Sequence, residues 1–252
     1  MRLADDRARC TGGWLALVFV IAVAGGGLAS LALAATAAGG SFLAAMASPR
    51  LADIVSFTLR QAALSTLFSA VLALPLALAL ADEHRFRGRA TLLRLFALPL
   101  ALPALAGALG VLAVFGQNGA VAWLVGLGGF AAPGIYGLPG ILIAHVFFNL
   151  PLTTRILLFA LETIPTEYKA QAAALGLPRH VWFALVEWPV LKRPLFGASA
   201  LVFMLCMTSF VIVLTLGGGP AATTLEVAIY QSLAFDFDIA AAVALTATQL
   251  AL

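Results

Sequence analysis

Five stretches of this chain are long and apolar enough to cross a bilayer, and they leave little sequence for any other kind of fold. A spanning helix needs about 20 predominantly apolar residues. Stretches of that length cover residues 14–36, 54–81, 92–116, 137–161 and 195–216. A soluble globule needs a polar exterior, and a sequence with 63% hydrophobic and only 10% charged residues cannot supply one. We therefore predict an all-α fold, a polytopic bundle of transmembrane helices.

A sixth apolar run covers residues 239–252, where the sequence ends. As a helix it would reach about 21 Å, against a hydrocarbon core of about 30 Å. We expect a truncated span here, and a chain that is part of a longer protein. This reading divides the chain into residues 1–36, an N-terminal tail with the first helix, and residues 37–252, the main transmembrane domain.

The first stretch has a second interpretation. A basic start, an apolar run and the triplet Ala32, Leu33 and Ala34 resemble a secretory signal with its cleavage site. The apolar run of about 23 residues is longer than the 7–15 that such signals use. We therefore favour an uncleaved membrane anchor.

The basic residues alternate between loops and predict the orientation of the chain. Loops 117–136 and 217–238 contain no Lys or Arg and the loop after the first span contains Arg50 alone, whereas the N-terminus and segments 82–91 and 162–194 each carry three or more. The basic side chains before residue 95 are Arg2, Arg7, Arg9, Arg50, Arg60, Arg85, Arg87, Arg89 and Arg94. Because cytoplasmic loops carry the excess of Lys and Arg, we predict a cytoplasmic N-terminus, with segments 82–91 and 162–194 on the same side.

The one extended polar segment, residues 162–194, lies between two membrane-length stretches, and we call it the elbow. Its basic side chains are Lys169, Arg179, Lys192 and Arg193. Its amphipathic pattern predicts a helix-turn-helix held against the membrane by this positive charge. Gly176 permits the backbone conformation that ends a first helix, and Pro178 suits the start of a second. In that second helix Val181, Trp182, Leu185 and Trp188 recur at helical spacing.

Within the elbow, Gly176 and Pro189 are thirteen positions apart. This spacing resembles the EAA signature of the permease subunits of ABC importers, although Ala170 stands where that family has Glu. The resemblance implies that separate ABC ATPase subunits dock on the elbow. It implies a coupling surface made of Glu167, Gln171, Ala172, Gly176, Leu177 and Pro178.

Other runs narrow the resemblance. Residues 145–151, 185–189, 203–206, 216–220 and 223–231 are similar to the thiamine permeases of ABC importers, as an N-terminal half. Ferric-iron permeases share some of these motifs and remain an alternative. The resemblance implies a multi-pass protein of the bacterial inner membrane, a periplasmic substrate-binding protein, and a second permease half that is either fused or paired.

The chain carries no sign of a catalytic centre. The Gly-rich run 217–220 lacks the Gly-Lys-Ser/Thr ending of a nucleotide-binding loop. We therefore expect ATP hydrolysis in another chain, and here no catalytic residues, no metal ligands, no cofactor and no nucleic-acid partner. A less favoured alternative, an ion-coupled secondary transporter, would need intramembrane carboxylates, and the interiors of the five stretches contain none.

Polar residues inside a span are functional candidates, because they are costly in hydrocarbon. In the fourth stretch these are His145 and Asn149, and Pro151 nearby removes a backbone hydrogen bond. We predict that the three line the translocation path. The alternative is a kinked helix whose polar side chains are satisfied by neighbouring helices.

Overall fold

The computed structural model describes residues 2–83, 86–128, 130 and 134–252, leaving aside the side chains of residues 2–12 and 38. Arg85, counted among the basic loop residues, lies outside this range. Every regular element described is helical, so the all-α prediction is confirmed. In chain order the helices are α1 (Arg2–Ala38), α2 (Gly40–Met46), α3 (Pro49–Asp82), α4 (Arg89–Leu95), α5 (Leu98–Ala101), α6 (Ala104–Phe115), α7 (Ala120–Leu127), α8 (Leu138–Glu162), α9 (Thr166–Ala174), α10 (Arg179–Trp182), α11 (Trp188–Met207), α12 (Val211–Leu216), α13 (Leu225–Ala234) and α14 (Ile239–Ala251), with a π-helical segment at Phe183–Glu187 and a 3-10 turn at Pro220–Ala222.

Five helical segments are long and apolar enough to cross a membrane. They are Gly13–Ala37, Pro49–Asp82, Ala104–Leu127, Leu138–Glu162 and Arg179–Met207. The chain forms two compact units, one of residues 54–227 and one of residues 1–53 with 228–252. In the smaller unit α1, α2 and α14 pack together. The larger unit contains the elbow and the polar residues of α8.

The third apolar stretch differs from the single helix expected over residues 92–116. The structure divides it into α4, α5 and α6, and the membrane-length segment is displaced to Ala104–Leu127. Leu102 is extended, with ψ of 135°, and Pro103 caps the start of α6. A proline disfavours helical backbone in the residue before it, which explains the end of the helix at this point.

The elbow also differs from a free helix-turn-helix. Its second helix is continuous with the fifth span, through α10, the π-helical segment Phe183–Glu187 and α11. The expected span of 195–216 is therefore replaced by a helix from Arg179 to Met207, followed by a break and the short α12. Pro189 lies in the first turn of α11, directly after the π-helical segment.

Helix α8 is central to the larger unit, with α5, α6, α11 and α12 packed around it. Near one end, Leu157, Leu158 and Leu161 pack with Ala73 and Ala77 of α3 in one apolar cluster. Helix α8 continues through Pro151 without interruption.

Candidate functional site

The first helix of the elbow ends in a glycine-dependent cap. Gly176 has φ of +62°, a backbone conformation that other residues adopt at a cost. Its N–H donates to the carbonyl of Ala173 at 3.1 Å, and the N–H of Leu177 donates to the carbonyl of Ala172 at 3.0 Å. These two bonds form a Schellman motif, which satisfies carbonyls that the end of α9 would otherwise leave unpaired. The turn expected at Gly176 is present.

The elbow is fastened to the end of α3 by charged side chains. Arg179 Nη2 donates to Asp82 Oδ2 at 3.0 Å, and Lys169 Nζ lies 3.5 Å from Asp82 Oδ1. Lys169 Nζ also donates to the carbonyl of Ala81 at 3.0 Å. That carbonyl belongs to the last turn of α3, where the helix itself supplies no partner.

A buried carboxylate organises the second helix of the elbow. Glu187 is 1% exposed, and it accepts hydrogen bonds from Arg179 Nη1 at 2.5 Å and from Trp182 Nε1 at 2.8 Å. Glu187 is the last residue of the π-helical segment, in which one residue is added to the turn. A charge buried this deeply requires paired, hydrogen-bonded partners. Arg179 thus joins Glu187 to Asp82.

The residues predicted as the coupling surface are mostly exposed. Within the described residues Ala172 is half-buried, and the exposed members are Glu167, Gln171, Gly176, Leu177 and Pro178. Leu175, between them, is 75% exposed. An apolar side chain that exposed beside a shaped turn is available to a partner protein.

The predicted attachment of the elbow to the membrane surface by its basic side chains is only partly supported. Lys169 and Arg179 are paired with Asp82 rather than left for lipid headgroups. Lys192 and Arg193 are exposed. The sequence-based interpretation missed this pairing because Asp82 lies 97 positions before Arg179.

A second polar group lies between α3, α8 and the break after α11. His145 Nδ1 lies 2.9 Å from Ser65 Oγ, and His145 Nε2 lies 2.8 Å from Ser209 Oγ. A neutral imidazole has one donor and one acceptor nitrogen, and hydroxyls can serve either role, so both contacts are satisfied without charge. We call Ser65, His145 and Ser209 the polar bridge.

Next to the bridge, Asn149 Nδ2 donates to Cys206 Sγ at 3.5 Å. Gln61 Nε2 donates to the carbonyl of Cys206 at 2.8 Å, whereas Gln61 Oε1 is buried with no partner among the described residues. Polar side chains of this kind hold transmembrane helices together. Gln61, Ser65 and Ser209 were not singled out as site residues from sequence, although Gln61 and Ser65 are one turn apart and share a face of α3.

An open cleft of about 470 Å³ exposes part of this group. His145, Asn149, Thr208 and Ser209 contribute its polar lining, beside apolar side chains that include Phe148 and Phe210. Pro151 is buried and does not line the cleft. The structure therefore brings together two of the three residues predicted for the path.

Segments predicted on the same side of the membrane meet in the larger unit. Arg89 Nη2 donates to Glu162 Oε1 at 2.7 Å, which joins segment 82–91 to the elbow at the end of α8. At the start of α8, the N–H of Gly137 donates to the carbonyl of Leu216 at 2.8 Å. The basic segments thus lie at one end of α8, and the neighbours of the Lys- and Arg-free loops lie at the other.

Known proteins resemble this chain in sequence and in structure. It is 56% identical to the thiamine transport system permease protein ThiP of Brucella suis over 251 residues, 99% of this chain and 46% of the relative. It is 48% identical to ThiP of Escherichia coli K12 over 83% of this chain and 39% of the relative. The molybdenum transport system permease protein ModB of Mycobacterium bovis is 31% identical over 81% of this chain and 77% of its own length.

The chain thus spans about half the length of the thiamine permeases that it matches, and the matched part is their N-terminal half. A solved bacterial ABC transporter that imports the polysaccharide alginate has a chain with a TM-score of 0.76 and 16% identity, covering 100% of this chain and 95% of its own. That likeness concerns the fold. Residues 73–252 match the model of a family described as the inner membrane component of binding-protein-dependent transport systems. The chain therefore belongs to the family of binding-protein-dependent transport system inner membrane components.

Proposed function

We propose that this chain is part of the membrane-spanning permease of an ATP-driven, binding-protein-dependent importer of thiamine or its phosphates. The observation that carries the proposal is the 56% identity to thiamine permeases over 99% of the chain. Those relatives are about twice as long, which supports a second permease half beside this one. This match favours thiamine over the ferric-iron and ion-coupled alternatives.

In this proposal the elbow is the cytoplasmic contact for separate ATPase subunits. The exposed face around Gly176 and Leu175 supports it, because a partner needs an accessible surface of defined shape. A partner can drive a conformational change only through contacts that differ between the two states. The elbow is well suited to such contacts, since its second helix continues without a break into a membrane span. A periplasmic binding protein would deliver substrate from the opposite side.

The cleft beside His145 is the proposed section of the translocation path. Helix breaks near membrane depth are tolerated where they line a cavity, and residues 208–210 form such a break between α11 and α12. His145 and Asn149 offer neutral polar groups to a passing solute, and Phe148 and Phe210 offer aromatic faces. Aromatic faces attract organic cations, the class to which thiamine belongs. Pro151, which is buried and does not line this cleft, stays a prediction for the path.

The proposal is tested by uptake in cells that can neither make nor import thiamine. The full-length permease is expressed with its ATPase and binding protein, and labelled thiamine is supplied outside. We expect accumulation that requires all three components and that stops when the ATPase is inactivated. Accumulation driven by an ion gradient without the ATPase, or uptake of molybdate but not thiamine, would contradict the proposal.

A further inference from the structure

Helix α3 and the elbow meet at one carboxylate. Asp82, the last residue of α3, receives Lys169 from α9 and Arg179 from α10. The two basic residues come from both helices of the elbow, on either side of the turn at Gly176. Asp82 is therefore the point at which both halves of the elbow are joined to the same membrane helix.

The surrounding contacts make this junction more than an isolated surface pair. Arg179 is also held by the buried Glu187, which is anchored by the indole of Trp182. Lys169 also caps the carbonyl of Ala81. Single exposed ion pairs contribute little, whereas networks with a buried member hold a defined geometry.

The far part of α3 carries one end of the polar bridge. Ser65 lies 17 residues before Asp82 on the same helix, which continues through Pro75, a distance of about 26 Å. Ser65 contacts His145, which lines the cleft. Helix α3 therefore links the base of the elbow to the proposed path.

We propose that Asp82 is a positioning residue that makes α3 follow the elbow, so that a displacement of the elbow reaches the helix that holds Ser65 against His145. The inference rests on the proposed function. It gives the elbow a second connection to the membrane helices, in addition to its direct continuation into α11. Without Asp82 the elbow still carries its coupling surface and still leads into α11, but α3 loses both ion pairs to it and keeps the Lys169–Ala81 hydrogen bond and the apolar packing of Leu80 and Ala81.

The test is the ratio of thiamine taken up to ATP hydrolysed, measured with the full-length permease, its ATPase and its binding protein in proteoliposomes. Asp82→Asn removes the charge and keeps the shape. We expect ATP hydrolysis to persist and the ratio to fall at least about fivefold, the lower range of allosteric coupling. Asp82→Glu should restore the ratio, because its carboxylate can again receive Lys169 and Arg179.

Glu83→Gln is the matched control, since it removes the same charge one residue later, at an exposed side chain outside the network. The double variant Asp82→Asn with Lys169→Gln should lose less than the sum of the two single variants, because both substitutions remove the same ion pair, although Lys169→Gln also removes the bond to Ala81. An unchanged ratio in Asp82→Asn, or an equal fall in Glu83→Gln, overturns the inference. If wild type shows no ATP-driven uptake, the proposed function itself fails.

Amide hydrogen exchange tests the same contact without measuring transport. It can therefore be applied to a variant that assembles poorly with its ATPase. Asp82→Asn, or Lys169→Gln if the former does not accumulate, should speed amide exchange in residues 166–178 relative to wild type, and Glu83→Gln should not. Unchanged exchange in that segment overturns the inference.

Discussion

Ser65 and His145 meet in the interior of the helical unit, with Ser65 Oγ 2.9 Å from His145 Nδ1 and both residues essentially excluded from solvent. The contact joins α3 to α8 across 80 positions of sequence. It explains how an imidazole can lie at membrane depth, because both ring nitrogens have hydroxyl partners. It also gives α8 a fixed orientation beside the cleft.

The first prediction concerns this contact. Ser65→Ala leaves His145 Nδ1 buried without its partner and should lower the free energy of unfolding by about 1–3 kcal/mol. Ser69→Ala is the matched control, because Ser69 is buried one turn further along α3 and its hydroxyl has no partner among the described residues. Thermal unfolding of the purified protein in detergent measures both. Equal losses in the two variants would contradict the assigned bond.

The second prediction concerns the turn of the elbow. Gly176→Val must adopt φ of +62° with a branched side chain, at a cost of about 1–2 kcal/mol or more, or the turn must change shape. A Cβ at this position meets nothing within 4 Å, so the effect is conformational and not a clash. We expect thiamine uptake to fall while the ATPase still hydrolyses ATP.

Two further substitutions sharpen that test. Gly176→Asn should retain more uptake than Gly176→Val, because Asn tolerates the left-handed conformation. Gly197→Val is the control, since Gly197 lies inside α11 with open space around it. Wild-type uptake in Gly176→Val, at a normal membrane level, would remove the turn from the coupling surface.

The third prediction concerns the buried carboxylate. Trp182→Phe keeps an aromatic ring but removes the donor to Glu187, and should cost about 1–2 kcal/mol of stability. Trp188→Phe should cost less, because Trp188 is 41% exposed and its ring contact with Phe183, at 6.0 Å between centroids, needs no indole N–H. Chemical unfolding monitored by fluorescence of the remaining tryptophans separates the two. A larger loss for Trp188→Phe would show that the indole–carboxylate bond is not what holds this segment.

The fourth prediction concerns orientation. Leu175→Cys, in the exposed turn of the elbow, should resist a membrane-impermeant maleimide in intact cells and react after permeabilisation. Ala221→Cys, exposed in the Lys- and Arg-free loop 217–238, should react in intact cells. The reverse pattern would invert the topology and remove the elbow from the cytoplasm.

Much of the fold could be predicted from the sequence, because a membrane helix requires a long apolar stretch that is visible in the sequence. The spans near 54–81 and 137–161 agree with α3 and α8 to within a few residues, apart from the start of α3 at Pro49. The break at Pro103 also has a local signal, which the hydropathy of 92–116 concealed. Continuity of the elbow with α11 was harder to foresee, because Pro189 suggests an end, whereas in the structure it follows a π-helical segment within a continuous helix.

The candidate site was predictable only in part. Gly176, His145 and Asn149 stand out by residue type in their local context. Asp82 and Ser65 do not stand out by residue type, because their role depends on contacts with residues 80 to 97 positions away. Such long-range pairs follow from how the helices pack, which the pattern of a single helix does not encode.

The central claim, that the elbow receives an ATPase subunit, is tested most directly by site-specific photo-crosslinking. A benzophenone amino acid replaces Leu175 in the full-length permease, expressed in cells with its ATPase and binding protein, and Ala221 carries the probe in the control. We predict a covalent product with the ATPase subunit from position 175 and none from position 221. A product from position 221, or none from position 175 in cells that still import thiamine, would contradict the account.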